Sequence, residues 1–253
     1  MKRTQRLLAA AFLLLVMGVN TAPAIAKATE RTKDGTADIE FTKDTTPDTG
    51  VPDPTSDRPD NTDSSVVDPN VGDFGIYAVT PLDFKSHIVT MEGGVYKADA
   101  YTANPDGTDS YTVENYVAIK DLRATKNHTY TLMAKLTKQF TAVVDGLEKP
   151  LNGATLTYKN INVAATRNPL LIPENKSFGH AGSGTSTLAY GSDSIEVYKN
   201  NDPAKGKGYY EITFGDDAKG TEADSVELAV PSAIRVHEAI YNATVLWTLS
   251  DTK

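Results

Sequence analysis

The sequence contains no cysteine. That excludes a disulfide framework, a thiol nucleophile, thiolate metal ligation and a lipid-acylated cysteine behind a leader. At 253 residues the chain is long enough to build a hydrophobic core without covalent staples. Basic charge is also short: 25 Lys and Arg stand against 33 Asp and Glu, for a net charge of −8. A chain of that sign is a poor electrostatic partner for nucleic acid, anionic lipid or teichoic-acid polymers, all of which are negative. Long apolar runs are scarce as well. The longest, Leu7 to Val16, falls well short of the ~20 residues that a membrane-spanning helix needs.

What stands at the N-terminus is the pattern of an export signal. Lys2, Arg3 and Arg6 precede the apolar run, and Ala24-Ile25-Ala26 supplies the small residues that a signal peptidase accepts. Residues 1–26 are therefore expected to be a signal peptide. Their removal takes away three positive charges and no negative one, leaving −11. The residues after Trp247 carry no sorting motif, hydrophobic tail or basic stop. With no lipid, span or sorting signal, the exported chain is expected to be released or held at the surface by binding.

Composition then divides the mature chain. Residues 27–36 are polar and expected to be disordered. Ile39 and Phe41 alternate with Glu40 and Thr42 as a short strand-like signal. From 44 to 73, eight aspartates and Pro47, Pro52, Pro54, Pro59 and Pro69 surround the single Arg58, the composition of an extended, solvated loop. From about Phe74 the sequence reads as strands. Tyr130, Leu132, Ala134 and Leu136 share one parity; so do Tyr210, Ile212 and Phe214, then Val226, Leu228 and Val230, then Val245, Trp247 and Leu249. Alternation with period two puts each apolar set on one face of a sheet. Asn104-Pro105-Asp106-Gly107, Asp145-Gly146, Asn152-Gly153, Asn201-Asp202-Pro203 and Gly215-Asp216-Asp217 mark turns between the runs. Only Ser232 to Ala239 suggests a helical turn. The expected fold is all-β, a β-sandwich-like domain of mainly antiparallel strands over residues 37–253, with 44–73 as a long acidic Pro-rich loop.

Reactive constellations are sparse. His87, His128, His180 and His237 are isolated and lack metal-ligand spacing. Gly182-Ser183-Gly184-Thr185-Ser186 has the glycines of a phosphate cradle without its lysine or its strand-to-helix context, and reads as a loop. No Gly-x-Ser-x-Gly elbow surrounds Ser183 or Ser186. Asp48, Asp53, Asp57 and Asp60 do not follow the spacing of a calcium-binding loop. The expectation is a non-catalytic protein with no metal and no cofactor.

The stretch Tyr241-Asn242-Ala243-Thr244-Val245-Leu246-Trp247-Thr248-Leu249 resembles the signature of the WxL surface-protein family, in which a Tyr leads through a β-rich run into Trp-x-Leu near the C-terminus. Ser225 to Pro231, Leu151 to Thr157, Pro81-Leu82-Asp83-Phe84 and the Asp/Pro-rich loop after Ile39-Glu40-Phe41 are similar to other segments of that family, so that the resemblance runs from about Ala37 to Lys253. Where the family carries an earlier Trp-x-Leu, this chain reads Tyr130-Thr131-Leu132, and the proline often found after the second motif is missing. The resemblance implies a secreted protein of low-GC Gram-positive bacteria, located at the cell wall and cell surface. It implies non-covalent binding to peptidoglycan, beside other envelope surface proteins that include membrane-anchored ones. Nucleic acid is not an expected partner, and the mature chain is not expected to span the membrane. An adhesin or complex subunit whose main contacts are with other surface proteins is the alternative. By the motifs, Trp247, Leu249, Tyr130 and Leu132 are the candidate binding residues, with two roles open to them: an exposed apolar platform, or central packing.

Overall fold

The computed structural model describes residues 39, 50–51, 60–165 and 171–251. The signal segment, residues 27–36 and Phe41 lie outside the described residues, as do Asp48, Asp53 and Asp57 of the acidic stretch. The chain divides into two units, Met1–Asp44 and Thr45–Lys253, and the account below concerns the second.

Three sheets and a hairpin make up this unit. The first sheet runs β1 (Phe74–Val79), β5 (Asn115–Asp121), β13 (Gly208–Phe214), β9 (Ile161–Ala165). The second runs β10 (Lys176–Phe178), β12 (Ile195–Asn200), β6 (Tyr130–Val144), β15 (Asn242–Asp251), with β7 (Leu147–Pro150) also paired to β6. In the third, β11 (Ser186–Ala189), β8 (Thr155–Tyr158), β14 (Val226–Val230) and β2 (Gly94–Lys97) lie side by side. The hairpin joins β3 (Tyr101–Ala103) to β4 (Tyr111–Val113). The strand pairings are antiparallel, as alternating sequences with short turns predict. At the β6–β7 hairpin, Asp145 and Gly146 both take positive φ, 51° and 75°. That pair of conformations matches the twist of the flanking strands and selects an Asp-Gly sequence. The stretch Ser232 to Ala239 closes one turn, with the Ile234 N–H donating to the Pro231 carbonyl at 3.3 Å, and forms no helix.

The main core takes one face from each sheet. Tyr130, Leu132, Ala134 and Leu136 of β6 meet Leu156 and Tyr158 of β8, Leu228 of β14, and Ile212 and Phe214 of β13. On the outer side of the first sheet a smaller cluster unites Tyr77, Tyr116 and Ala118 with Tyr101, Ala103 and Val113. Strand β5 is therefore buried on both faces along its whole length, which is why its sequence does not alternate.

The acidic stretch departs from its sequence-based reading in its described part. Val51, Val66 and Val67 are buried in the outer cluster, so residues 60–68 are docked and not a bare solvated spacer. Buried Asn61 anchors this segment by donating to the Tyr116 hydroxyl at 2.6 Å, and Val51 and Asn61 exchange backbone bonds of 2.8 Å. Asp63 accepts from the Ser65 N–H and hydroxyl and, at 3.3 Å, from the Tyr101 hydroxyl.

An ion cluster ties the far end of β15 to β5. The Asp121 carboxylate is buried and accepts from Arg123 Nε at 2.9 Å and Nη2 at 2.8 Å, while His128 Nδ1 lies 3.0 Å away. Arg123 Nη1 donates to Asp251 at 3.1 Å, and its guanidinium sits 3.9 Å above the Phe74 ring. Burial pushes the Asp121 pKa up, but the hydrogen bonds from Arg123 and His128 outweigh it and hold the group below the usual carboxylate value.

Three predictions follow from this packing. Leu132→Ala opens a cavity in the centre of the core and should cost about 2–5 kcal/mol in urea unfolding. Tyr130→Phe should leave stability unchanged or raise it, because the buried Tyr130 hydroxyl has no hydrogen-bond partner among the described residues. A large loss in the phenylalanine variant would contradict that packing. The third concerns acid. A depressed folded pKa makes the Asp121 contribution complete above the unfolded carboxylate pKa of ~3.9 and lost as pH falls through the lower folded value. Asp121→Asn should therefore flatten the pH dependence of the unfolding midpoint below about pH 4, measured by circular dichroism from neutral pH downward.

Candidate functional site

The four motif residues lie on adjacent strands of one sheet. Strand β15 pairs with β6 so that Leu249 faces Leu132, Trp247 faces Ala134 and Asp251 faces Tyr130. Their side chains point to the same inner face but differ in exposure. Tyr130 and Leu132 are wholly buried, each at 0 % exposure, whereas Trp247 and Leu249 are half-buried. The cause is topological. Strand β6 lies inside its sheet, while β15 is an edge strand with one hydrogen-bonded neighbour among the described residues, so its inward residues are less fully enclosed.

Trp247 is held by two rings from the other two sheets. Its centroid lies 5.3 Å from Tyr158 of β8 in an edge-on contact and 5.9 Å from Phe214 of β13, with planes 26° apart. Tyr158 and Phe214 are themselves 4.5 Å apart. Burial pushes the Tyr158 pKa far up, so this ring stays neutral.

Beside the trio opens a groove of about 1000 Å³. Its floor is Phe140, Leu156, Leu228 and the three rings; its walls are the segments 79–89 and 236–243. Each wall carries a fully presented apolar residue, Ile88 at 89 % exposure and Ile240 at 81 %. Internal bonds shape both walls. The Asp83 carboxylate accepts the Lys85 N–H at 2.8 Å, with Lys85 in the left-handed region at φ 60°, and His87 Nε2 lies 2.6 Å from the Phe84 carbonyl with its ring 4.5 Å from Tyr96. The His237 N–H donates to the Tyr241 hydroxyl at 2.8 Å. At the rim Lys85 bridges two carboxylates, Asp83 and Asp99, each at 3.1 Å. The Lys85 N–H and ammonium hold the Asp83 pKa below its ordinary value.

An apolar, concave, aromatic-floored groove with few polar groups is suited to holding a ligand by contact area and ring stacking. Among the described residues, no three His, Asp or Glu side chains come together to hold a metal ion. The glycine-rich loop is closed on itself, with the Gly184 N–H bonded to Phe178, Ser183 to His180, and Thr185 to the Ser183 hydroxyl. Those amides are not free to receive an anion.

Of the groove residues, sequence reading singled out Trp247, and it touched Phe84 only through the segment Pro81 to Phe84. Phe140, Tyr158 and Phe214 alternate like any core residue, and Ile88 and Ile240 lie in stretches without period. Their convergence is a property of the three-sheet packing and has no local signature.

No curated protein and no solved structure matches the chain. A family model does, that of the WxL domain surface cell wall-binding family, over residues 28–252. That match covers nearly the whole sequence, includes the Trp247-Thr248-Leu249 element at the groove, and shows that the chain belongs to the WxL family of cell wall-binding surface domains.

Proposed function

We propose that the chain is a secreted, non-catalytic protein of the Gram-positive cell surface that binds peptidoglycan non-covalently, with the groove beside Trp247 as its contact surface. The observation that carries this reading is the coincidence of the family's Trp-x-Leu element with the mouth of an apolar groove of about 1000 Å³. Trp247 turns one face to Phe214 and is half-buried at the groove. A flat indole in that setting stacks on the apolar face of a sugar ring or covers the aliphatic part of a stem peptide. Tyr130, Leu132 and Leu249 act behind it by fixing the sheet that presents the indole. Other envelope proteins are proposed as neighbours on the wall and not as the anchor.

Co-sedimentation tests this directly. The protein, expressed from its full sequence and purified, should pellet saturably with Gram-positive sacculi stripped of teichoic acid, under conditions where serum albumin does not. Ile88→Asp and Ile240→Asp alter only exposed rim residues, so both variants should fold normally. Each should weaken pelleting by roughly tenfold, equivalent to about 1.4 kcal/mol. Trp247 is the only tryptophan, so soluble muropeptides should shift its emission in the parent protein. A folded protein that fails to pellet, with unmoved emission, would reject peptidoglycan as the ligand and favour a protein partner at the wall.

A further inference from the structure

Peptidoglycan offers a binding groove two different chemistries, a glycan and a peptide, and they bury differently. A pyranose carries polar groups around its whole circumference. Seating it in a trench therefore requires hydrogen-bonding partners on the walls as well as a flat ring beneath it. An extended peptide sends alternate side chains to one side. Its small aliphatic side chains can enter an apolar trench while its amides stay at the rim, in contact with water.

The groove beside Trp247 suits the second case. Its floor of Phe140, Leu156, Leu228 and the three rings presents no carboxylate, side-chain amide or guanidinium. Polar groups on the nearer wall are engaged within the protein. The Thr80 hydroxyl bonds to Asn115 and Tyr116, Asp83 accepts from the Lys85 N–H, and His87 meets the Phe84 carbonyl. Trp247 already has Phe214 stacked on it and Tyr158 edge-on. What it has left is enough for methyl groups and too little for a whole sugar ring.

Charge narrows the choice further. Among the described lining residues Lys85 is the only lysine or arginine, and it is shared between Asp83 and Asp99. Glu238 stands exposed on the opposite wall. The rim thus carries negative charge in excess and keeps no cation in reserve for a ligand carboxylate. A carboxylate brought there is repelled, whereas its amide is not.

Resting on the peptidoglycan reading above, we propose that the groove takes the peptide of that polymer and not its glycan, and selects peptides whose carboxylates are neutralised as amides. Alanine methyl groups lie over the apolar floor. The peptide amides stay at the rim, where Ser86 and Asn242 are exposed lining residues able to bond them.

Trp247 emission reads occupancy, since the chain has no other tryptophan. The purified protein is titrated with N-acetyl-L-Ala-γ-D-Gln-L-Lys-D-Ala amide, with the same peptide carrying free carboxylates at both amidated positions, and with peptide-free glycan chains released from sacculi by an amidase. The amidated peptide should shift the emission saturably, and the glycan chains should leave it unmoved. The carboxylate form should bind roughly tenfold more weakly. Glu238→Gln removes one rim charge and should tighten the carboxylate form by roughly threefold. Glu148→Gln, exposed on β7 and outside the groove lining, should leave it unchanged. Pelleting with intact sacculi, measured in parallel, keeps the two readings apart. A protein that pellets yet ignores the amidated peptide, binds the carboxylate form as tightly, or is shifted by the glycan chains overturns this inference and leaves wall binding standing. A protein that neither pellets nor responds to the amidated peptide overturns both.

Discussion

Tyr158, Phe214 and Trp247 come from three different sheets and meet ring to ring at one point. The packing of the domain depends on that meeting. Strand β15 has one hydrogen-bonded neighbour, so its attachment beyond the β6 ladder comes from what its inward side chains reach. Val245 and Leu249 pack on the main core, but the indole is the side chain long enough to touch both other sheets. At the strand's end, Asp251 is fastened to Arg123, which grips buried Asp121 on β5. The edge strand is thus pinned to β8 and β13 by aromatic contact and to β5 by charge. The groove follows from the same arrangement, because large rings brought together beneath an open sheet edge leave their outer surfaces uncovered. The residues that close the core are also the ones that line its mouth.

The strands were legible in the sequence because alternation is enforced wherever one face is buried. Tyr130 to Leu136, Tyr210 to Phe214, Val226 to Val230 and Val245 to Leu249 each fall within an observed strand. What alternation does not record is which neighbour a strand has. Leu132 and Leu249 carry the same kind of local signal, yet one lies inside a sheet and is sealed while the other lies at an edge and is half open. For the same reason the motif identified Trp247 as a candidate and left open whether it is core or surface. As an edge residue it is partly both. The facing rings, Tyr158 and Phe214, are separated from it by 89 and 33 positions, and no pattern in a single sequence joins them.

Composition misled at one place for a similar reason. Averaged over 44–73, aspartate and proline dominate, and such a stretch cannot build a core of its own. It can lend a few side chains to a core that already exists. Val51, Val66 and Val67 do so, filling the outer side of the first sheet where Tyr77, Tyr116 and Ala118 would otherwise face water. The missing alternation in β5 is the complementary sign, since a strand reads as continuously buried only when something covers each face.

The charge balance then constrains how a protein of this family can hold a wall. At −8 overall, the chain is repelled by anionic wall polymers, and that repulsion acts over the Debye length of about 8 Å at physiological salt. Attraction has to come from short-range contact strong enough to outlast the repulsion. The groove has that character. At its rim Lys85 is shared between Asp83 and Asp99, which leaves one negative charge in excess, and its floor is aromatic and aliphatic, so its attraction for an uncharged ligand surface is not Coulombic. Added salt would screen the unfavourable long-range term and leave the favourable contact term nearly intact. On the reading proposed above, retention is expected to be no weaker at high ionic strength than at low, the reverse of a basic patch reading an anionic polymer. The non-covalent retention proposed above is compatible with the acidic composition because the contact it invokes is apolar.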